Sequence, residues 1–153
     1  MRRIVHYYPD AMGHSGVTFA LWSWARAQAA AGAEVSILHA DRPAVRADVP
    51  FVSHDTCPGL TAQTVAHAGR RRWSRHPVGL ERHLGEHDLL VLHEGWVANN
   101  LVAAAAARRA GVPYVVMPHG VYEPAWMRYL KPPMWLRSRL ERQMLERGDV
   151  ADF

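Results

Sequence analysis

The chain has 153 residues, 49% of them apolar and 21% charged, which is enough for one soluble domain with its own core. Its single cysteine, Cys57, excludes an intrachain disulfide and fits a reducing compartment. The longest apolar run, residues 101–107, is far short of the roughly 20 residues of a membrane span. A net charge of +4 and a pI near 9.7 suit an anionic partner, leaving open nucleic acid, an anionic membrane surface or a phosphorylated small molecule.

The N-terminal "MRRIVHYYP" has two arginines but no apolar segment of signal-peptide length, so residues 3–8 are predicted as a first strand and not an export signal. "PDAMGHSG" (9–16) is turn chemistry. Residues 17–32 follow at helical spacing, with Val17, Leu21, Trp24 and the alanines beside Gln28 as the apolar stripe and Gly32 as the left-handed cap. Trp22 and Trp24 cannot share one helix face. With Trp24 packed beside Leu21, Trp22 falls beside a cleft or outside.

"EVSILH" (34–39) and "VPFVS" (49–53) are predicted as the second and third strands. Residues 59–77 are predicted helical to about Arg72, with Pro77 ending the pattern. "DLLVLH" (88–93) is an uninterrupted apolar run of the kind buried on both faces of a sheet. Asn99 or Asn100 then caps an alanine-rich helix ending at Gly111, and "YVVM" (114–117) is the next strand. Pro133 opens a last helix that stops at Gly148. Strands alternating with helices over short connections imply an α/β fold: a doubly wound, Rossmann-like parallel sheet.

In such a sheet ligands gather at the carboxyl ends of the strands, and three unusual turns fall there: "MGHSG", "HEGW" and "PHG". In the first, Gly13 and Gly16 allow close backbone approach, Ser15 can cap the helix, and the N–H groups of Gly16 and Val17 would face outward toward phosphate. The same glycines could serve turn geometry alone, since the spacing is neither a dinucleotide fingerprint nor a P-loop. His93 and His119 end two buried strands. Either could be a rim histidine satisfied by backbone, but two of them facing a glycine-rich turn favour a site. His83 and His87 are four apart without the H-E-x-x-H pattern, so no metal is expected. Neither a G-x-S-x-G elbow nor a base beside Cys57 supports covalent catalysis.

Taken together, "GVTFALWSWARAQAAAGAEVSILH", "HDLLVLHEGW", "ARRAGVPYVVMPHGVYEP" and the tail "RSRLERQMLERGDVADF" resemble the N-terminal domain of the group 1 family of retaining glycosyltransferases with the GT-B fold. The resemblance spans nearly the whole chain and is weakest over residues 41–87. Where the family often has Gly-Gly after the first strand, this chain has Ser15-Gly16. The resemblance implies that residues 1–153 form the acceptor-side half, with Gly16 and Val17 near the donor diphosphate. His119 would stand beside the transferred sugar as the catalytic residue, and His93, Glu94, Ser15 and Gly120 would lie on the acceptor side. No cofactor is implied. A nucleotide-diphosphate sugar is the co-substrate, and a saccharide or lipid-linked molecule is the acceptor. The family's donor-binding half, with its paired glutamates, is absent from this sequence, so the chain alone is not expected to be active.

A stand-alone phosphate- or sugar-binding module remains the competing reading. Arg70, Arg71, Arg72, Trp73 and Arg75, with a second basic and aromatic stretch at 126–139, suit peripheral contact with the inner face of a membrane by a cytoplasmic protein. A solvated arginine face is the plainer reading, and nucleic acid the least favoured partner.

Overall fold

A computed structural model describes residues 1–40, 57–69, 76–95 and 98–120. In chain order it contains β1 (Arg3–Tyr7), α1 (Gly16–Ala30), β2 (Glu34–Ala40), β3 (Leu60–Val65), β4 (His67–Ala68), β5 (His76–Pro77), a 3₁₀ turn (Leu80–His83), β6 (Leu89–His93), α2 (Ala98–Ala110) and β7 (Tyr114–Met117). The main sheet has the order β3-β2-β1-β6-β7, and every neighbouring pair in it is parallel.

Side chains of a strand alternate between faces, and the two cores follow that alternation. Val5 and Tyr7 of β1, Leu90 and Leu92 of β6 and Tyr114 and Val116 of β7 pack with Ala103, Ala104, Ala106 and Ala107 of α2. On the opposite face Val35 and Ile37 of β2 and Leu60 of β3 pack with Leu21, Trp22, Ala25 and Ala29 of α1. Helices therefore cover both faces of an α/β, Rossmann-like sheet. A sheet buried on both sides explains why "LLVLH" carries no polar alternation. Alanines dominate α2 because small side chains let the helix lie close to the large ones of the sheet.

Both helices stop where their glycines stand, Gly32 at φ 91° and Gly111 at φ 69°. Ser15 caps α1, its Oγ accepting from the Thr18 N–H at 3.0 Å.

Four details depart from the sequence expectation. Residues 60–65 form an edge strand and not a helix, in register with β2 from Val35↔Leu60 to Ala40↔Val65. β-Branched Thr61, Thr64 and Val65 suit a pleated edge, and the open ladder of β2 supplies backbone partners that outweigh a weak helical pattern. Gly59 enters that strand at φ 82°, where an added Cβ would come within 3.1 Å of the Ala33 carbonyl oxygen. His67 and Ala68 then pair antiparallel with His76 and Pro77, so Pro77 sits in a two-residue strand instead of ending a helix.

The tryptophans of α1 exchange places relative to the prediction. Trp22 is fully buried and Trp24 is 46% exposed, because the buried stripe is Thr18, Leu21, Trp22, Ala25 and Ala29, one residue out of phase with the predicted Val17–Leu21–Trp24 line. The Trp22 indole N–H also donates to the Ala11 carbonyl at 2.8 Å, pinning the loop after β1 to the helix that follows it. Finally, α2 begins at Ala98, which puts Asn99 and Asn100 in its first turn and not at its cap. Asn100 is used differently, its amide donating to the carbonyls of His93 and Glu94. The predicted strand at 49–53, the helix from Pro133, and the basic stretches 70–75 and 126–139 lie outside the described residues.

Trp22→Ala is expected to cost about 3–5 kcal/mol of stability, by loss of a large buried side chain. Trp24→Ala is expected to stay within about 0.5 kcal/mol. Urea unfolding of both variants checks this, and equal losses would contradict the assignment of faces.

Candidate functional site

The strand order places β2 and β6 on opposite sides of β1, so the chain reverses its direction of travel across the sheet there. In open α/β sheets such a reversal is where a crevice forms, here at the carboxyl ends of β1 and β6. Into it run the loop from β1 to α1, the turn after β6 and, beside it, the turn after β7.

The first loop is a chain of tight bonds. The Ala11 N–H donates to Tyr8 O at 3.1 Å, Gly13 N–H to Asp10 O at 2.8 Å, and the Thr18 hydroxyl to Asp10 O at 3.2 Å. Gly13 serves the turn itself, because an added Cβ would lie 3.1 Å from Asp10 O, closer than ordinary contact. Gly16 is different: among the described residues a Cβ there meets no atom within 4 Å. Ser15 takes the N–H of Thr18 with its hydroxyl and that of Phe19 with its carbonyl. The amides of Gly16 and Val17 precede the first intrahelical bond, at the positive end of the α1 dipole.

The other two turns share an uncommon backbone. Glu94 (φ 66°) and His119 (φ 50°) are the non-glycine residues at positive φ among those described, and Gly120 follows His119 at φ 82°. A left-handed conformation in a residue with a side chain costs of order 1–3 kcal/mol and persists only where its surroundings impose it. Here they do. The Glu94 N–H donates to Met117 O at 2.9 Å, and the Asn100 amide holds Glu94 O at 2.9 Å. The Tyr8 hydroxyl interacts with both the Glu94 carboxylate and Ser15, joining the first loop to the second. Burial first, and then the Glu94 charge, push the Tyr8 phenol far above its usual value, so it stays a donor.

Beneath these turns runs a row of polar side chains on the α1 face of the sheet. His6 lies between Val5 and Tyr7 in sequence and so points the other way, toward Gln28 of α1; its Nε2 is 2.7 Å from Gln28 Oε1. His6 Nδ1 is 2.7 Å from His93 Nε2, and His93 Nδ1 is 2.8 Å from His119 Nε2. The ring centroids are 5.0 Å and 5.1 Å apart. His6 and His93 are wholly buried, whereas His119 is half-buried and ends the row on the crevice side. Burial lowers His6 to about 4, against a small opposing effect of Gln28. It holds His93 further down, helped by its two histidine neighbours, and lowers His119 as well. All three rings are therefore neutral at pH 7.

The structure thus brings Ser15, Gly16, Val17, His93, Glu94, His119 and Gly120 to one end of the sheet. His93 stands behind His119 instead of beside it in the opening. His83 and His87 precede β6 and lie at the other end of that strand from His93, with the His87 Nε2 turned to the Ser36 hydroxyl at 3.3 Å. His6 and Gln28 were missed from sequence. The signal was present in both: a histidine inside the most central strand, and a glutamine amid the alanines of a sheet-covering helix.

Residues 15–151 match the family described as the glycosyl transferase 4-like domain. The chain belongs to that family. Comparison with curated proteins returned no match. The glycosyl transferase 4-like match takes in all three turns from Ser15 onward, together with Gln28, His93 and His119, and leaves His6 and Tyr8 just ahead of it. It identifies a GT-B-like glycosyltransferase module, in keeping with the α/β sheet. No helix among the described residues of this glycosyl transferase 4-like domain is long and apolar enough to cross a membrane.

The histidine row has a measurable consequence for stability. In the unfolded chain His6 and His93 titrate near 6.5, but folded they remain neutral to about 4 and below. At about pH 5 unfolding therefore takes up about two protons at these two sites, so stability is full above about 6.5 and falls as the pH drops toward 4. Unfolding free energy measured across that range should rise with pH, and more steeply than in His6→Phe. A profile unchanged by that substitution would contradict the neutral, buried state of His6.

Proposed function

We propose that this domain is the acceptor-side half of a retaining glycosyltransferase, moving a sugar from a nucleotide-diphosphate sugar to a saccharide or lipid-linked acceptor. One observation carries the reading: three loops tied together at the switch point of a glycosyltransferase-family sheet, with two non-glycine residues held in left-handed conformations there. Strain of that kind is maintained where a side chain is wanted in a particular place.

In this reading the free first-turn amides of Gly16 and Val17 face the donor diphosphate, stabilising charge that grows as the glycosidic bond breaks. His119 stands beside the transferred sugar. Glu94, Ser15 and Gly120 border the acceptor, and His93, having no exposed surface, contributes through His119. No resident cofactor is required. A second, donor-binding half, continuous with this chain or supplied by a partner, closes over the crevice. An intact mass for the native protein well above 17.2 kDa would support a continuous second half. Arg70, Arg71, Arg72, Trp73 and Arg75 would hold the protein at the cytoplasmic face of a membrane bearing the acceptor.

Gly16→Val offers the sharpest test, because a Cβ at that position meets no atom of the described residues within 4 Å. The variant should fold normally yet lose affinity for nucleotide-diphosphate sugars. His119→Ala should lower kcat by about 10²-fold or more. Both are measured by sugar transfer from a panel of nucleotide-diphosphate sugars in the native enzyme, with near-ultraviolet circular dichroism as the folding control. Wild-type transfer in both variants would overturn the site. Tight binding of inorganic phosphate or free sugars by the isolated chain, without transfer by the native protein, would favour a binding module.

A further inference from the structure

We propose that Gln28 and His6, acting through His93, are positioning residues that fix which ring nitrogen of His119 carries its proton, presenting a bare Nδ1 to the crevice. The importance of His119 rests on the function proposed above; the proton arrangement does not.

A neutral imidazole has one N–H and one bare nitrogen, and which is which is set by the partner the ring finds. Each nitrogen-to-nitrogen contact in the row, at 2.7 and 2.8 Å, needs one proton between the two atoms: two would clash and none would leave lone pairs facing each other. The three rings must therefore all be the same tautomer, and the row runs in a single direction.

Gln28 chooses the direction. Its Oε1, 2.7 Å from His6 Nε2, can only accept, so the His6 proton sits on Nε2 and its Nδ1 is bare. His93 must then donate from Nε2 to that Nδ1, leaving its own Nδ1 bare, and His119 must donate from Nε2 to His93. The one ring nitrogen of the row with no partner among the described residues is His119 Nδ1, and it is left without a proton. It can accept from a hydroxyl and cannot donate to a phosphate oxygen. The ligand group that meets His119 is accordingly a hydroxyl of a sugar or acceptor, while phosphate is left to the amides at the head of α1.

An amide suits this task better than a carboxylate. Glutamate in place of Gln28 would set the same direction, but its charge would favour a positive His6 inside the core. The neutral amide orients the row without drawing a proton down it.

The test is a long-range ¹H–¹⁵N correlation spectrum of the chain labelled in its histidines, with the signals of His6, His93 and His119 identified by replacing each in turn with glutamine. At neutral pH all three should show a protonated Nε2 and an unprotonated Nδ1. A protonated Nδ1 on His119 would overturn the proposal from the wild-type spectrum alone, whether or not any variant folds. Gln28→Leu, which removes the acceptor, should shift His119 toward a mixture of tautomers. An unchanged His119 in Gln28→Leu would show that something other than Gln28 sets the direction. Because the readout is spectroscopic, the expected tautomers together with wild-type transfer by His119→Ala would sink the catalytic role and leave the positioning intact.

Discussion

Pairing of β1 with β2 on one side and β6 on the other fixes where every loop of consequence can go. Because all the main strands are parallel, each must be followed by a crossing segment, and those segments begin at the carboxyl end of the sheet. Because the order reverses at β1, the connections that lead to β2 and β3 step toward one side and the one from β6 to β7 toward the other, and a gap stays between them. The crevice is thus a result of topology before any side chain is considered. Side chains then decide its chemistry.

That chemistry is supported by groups a hydrophobic core would not choose. Three imidazoles and an amide stand in a row beside a core of valine, isoleucine, leucine, alanine, tyrosine and tryptophan. An unpaired buried polar group costs on the order of 1–3 kcal/mol, and the row avoids this only because each member satisfies the next. The same economy governs the turns above it. Asn100 uses its amide on two carbonyls, and the Glu94 N–H goes to Met117, so left-handed Glu94 is held by bonds at both ends.

Much of this was legible in the sequence, for reasons that separate the readable from the rest. Alternation of apolar runs with alanine-rich helical stretches gave the doubly wound sheet, and the glycines at 32 and 111 marked real helix ends. The turns stood out because glycine, proline and histidine at the end of an apolar run have few structural uses. Edge strand β3 was not legible, since its partner ladder is supplied by β2 and no local pattern records it. The phase of α1 was missed because two tryptophans two residues apart can each anchor a plausible stripe, and only the contact of Trp22 with Ala11 decides between them. His6 escaped notice because a strand's inward face is judged by its neighbours, and nothing local says that Gln28 will reach it. Site residues at strand ends carry their own signal, whereas those that support them from behind carry it jointly.

Helix α1 has a part in both halves of this arrangement. Its first turn offers the amides of Gly16 and Val17 to the crevice, and about 18 Å further along the same rod Gln28 terminates the row that ends at His119. A helix packed through Leu21, Trp22, Ala25 and Ala29 moves as one body, not as separate residues. A shift of a few tenths of an ångström along its axis would be felt as a change in a hydrogen bond at each end. The domain therefore contains a lever with one arm at the head of α1 and the other at the foot of the histidine row.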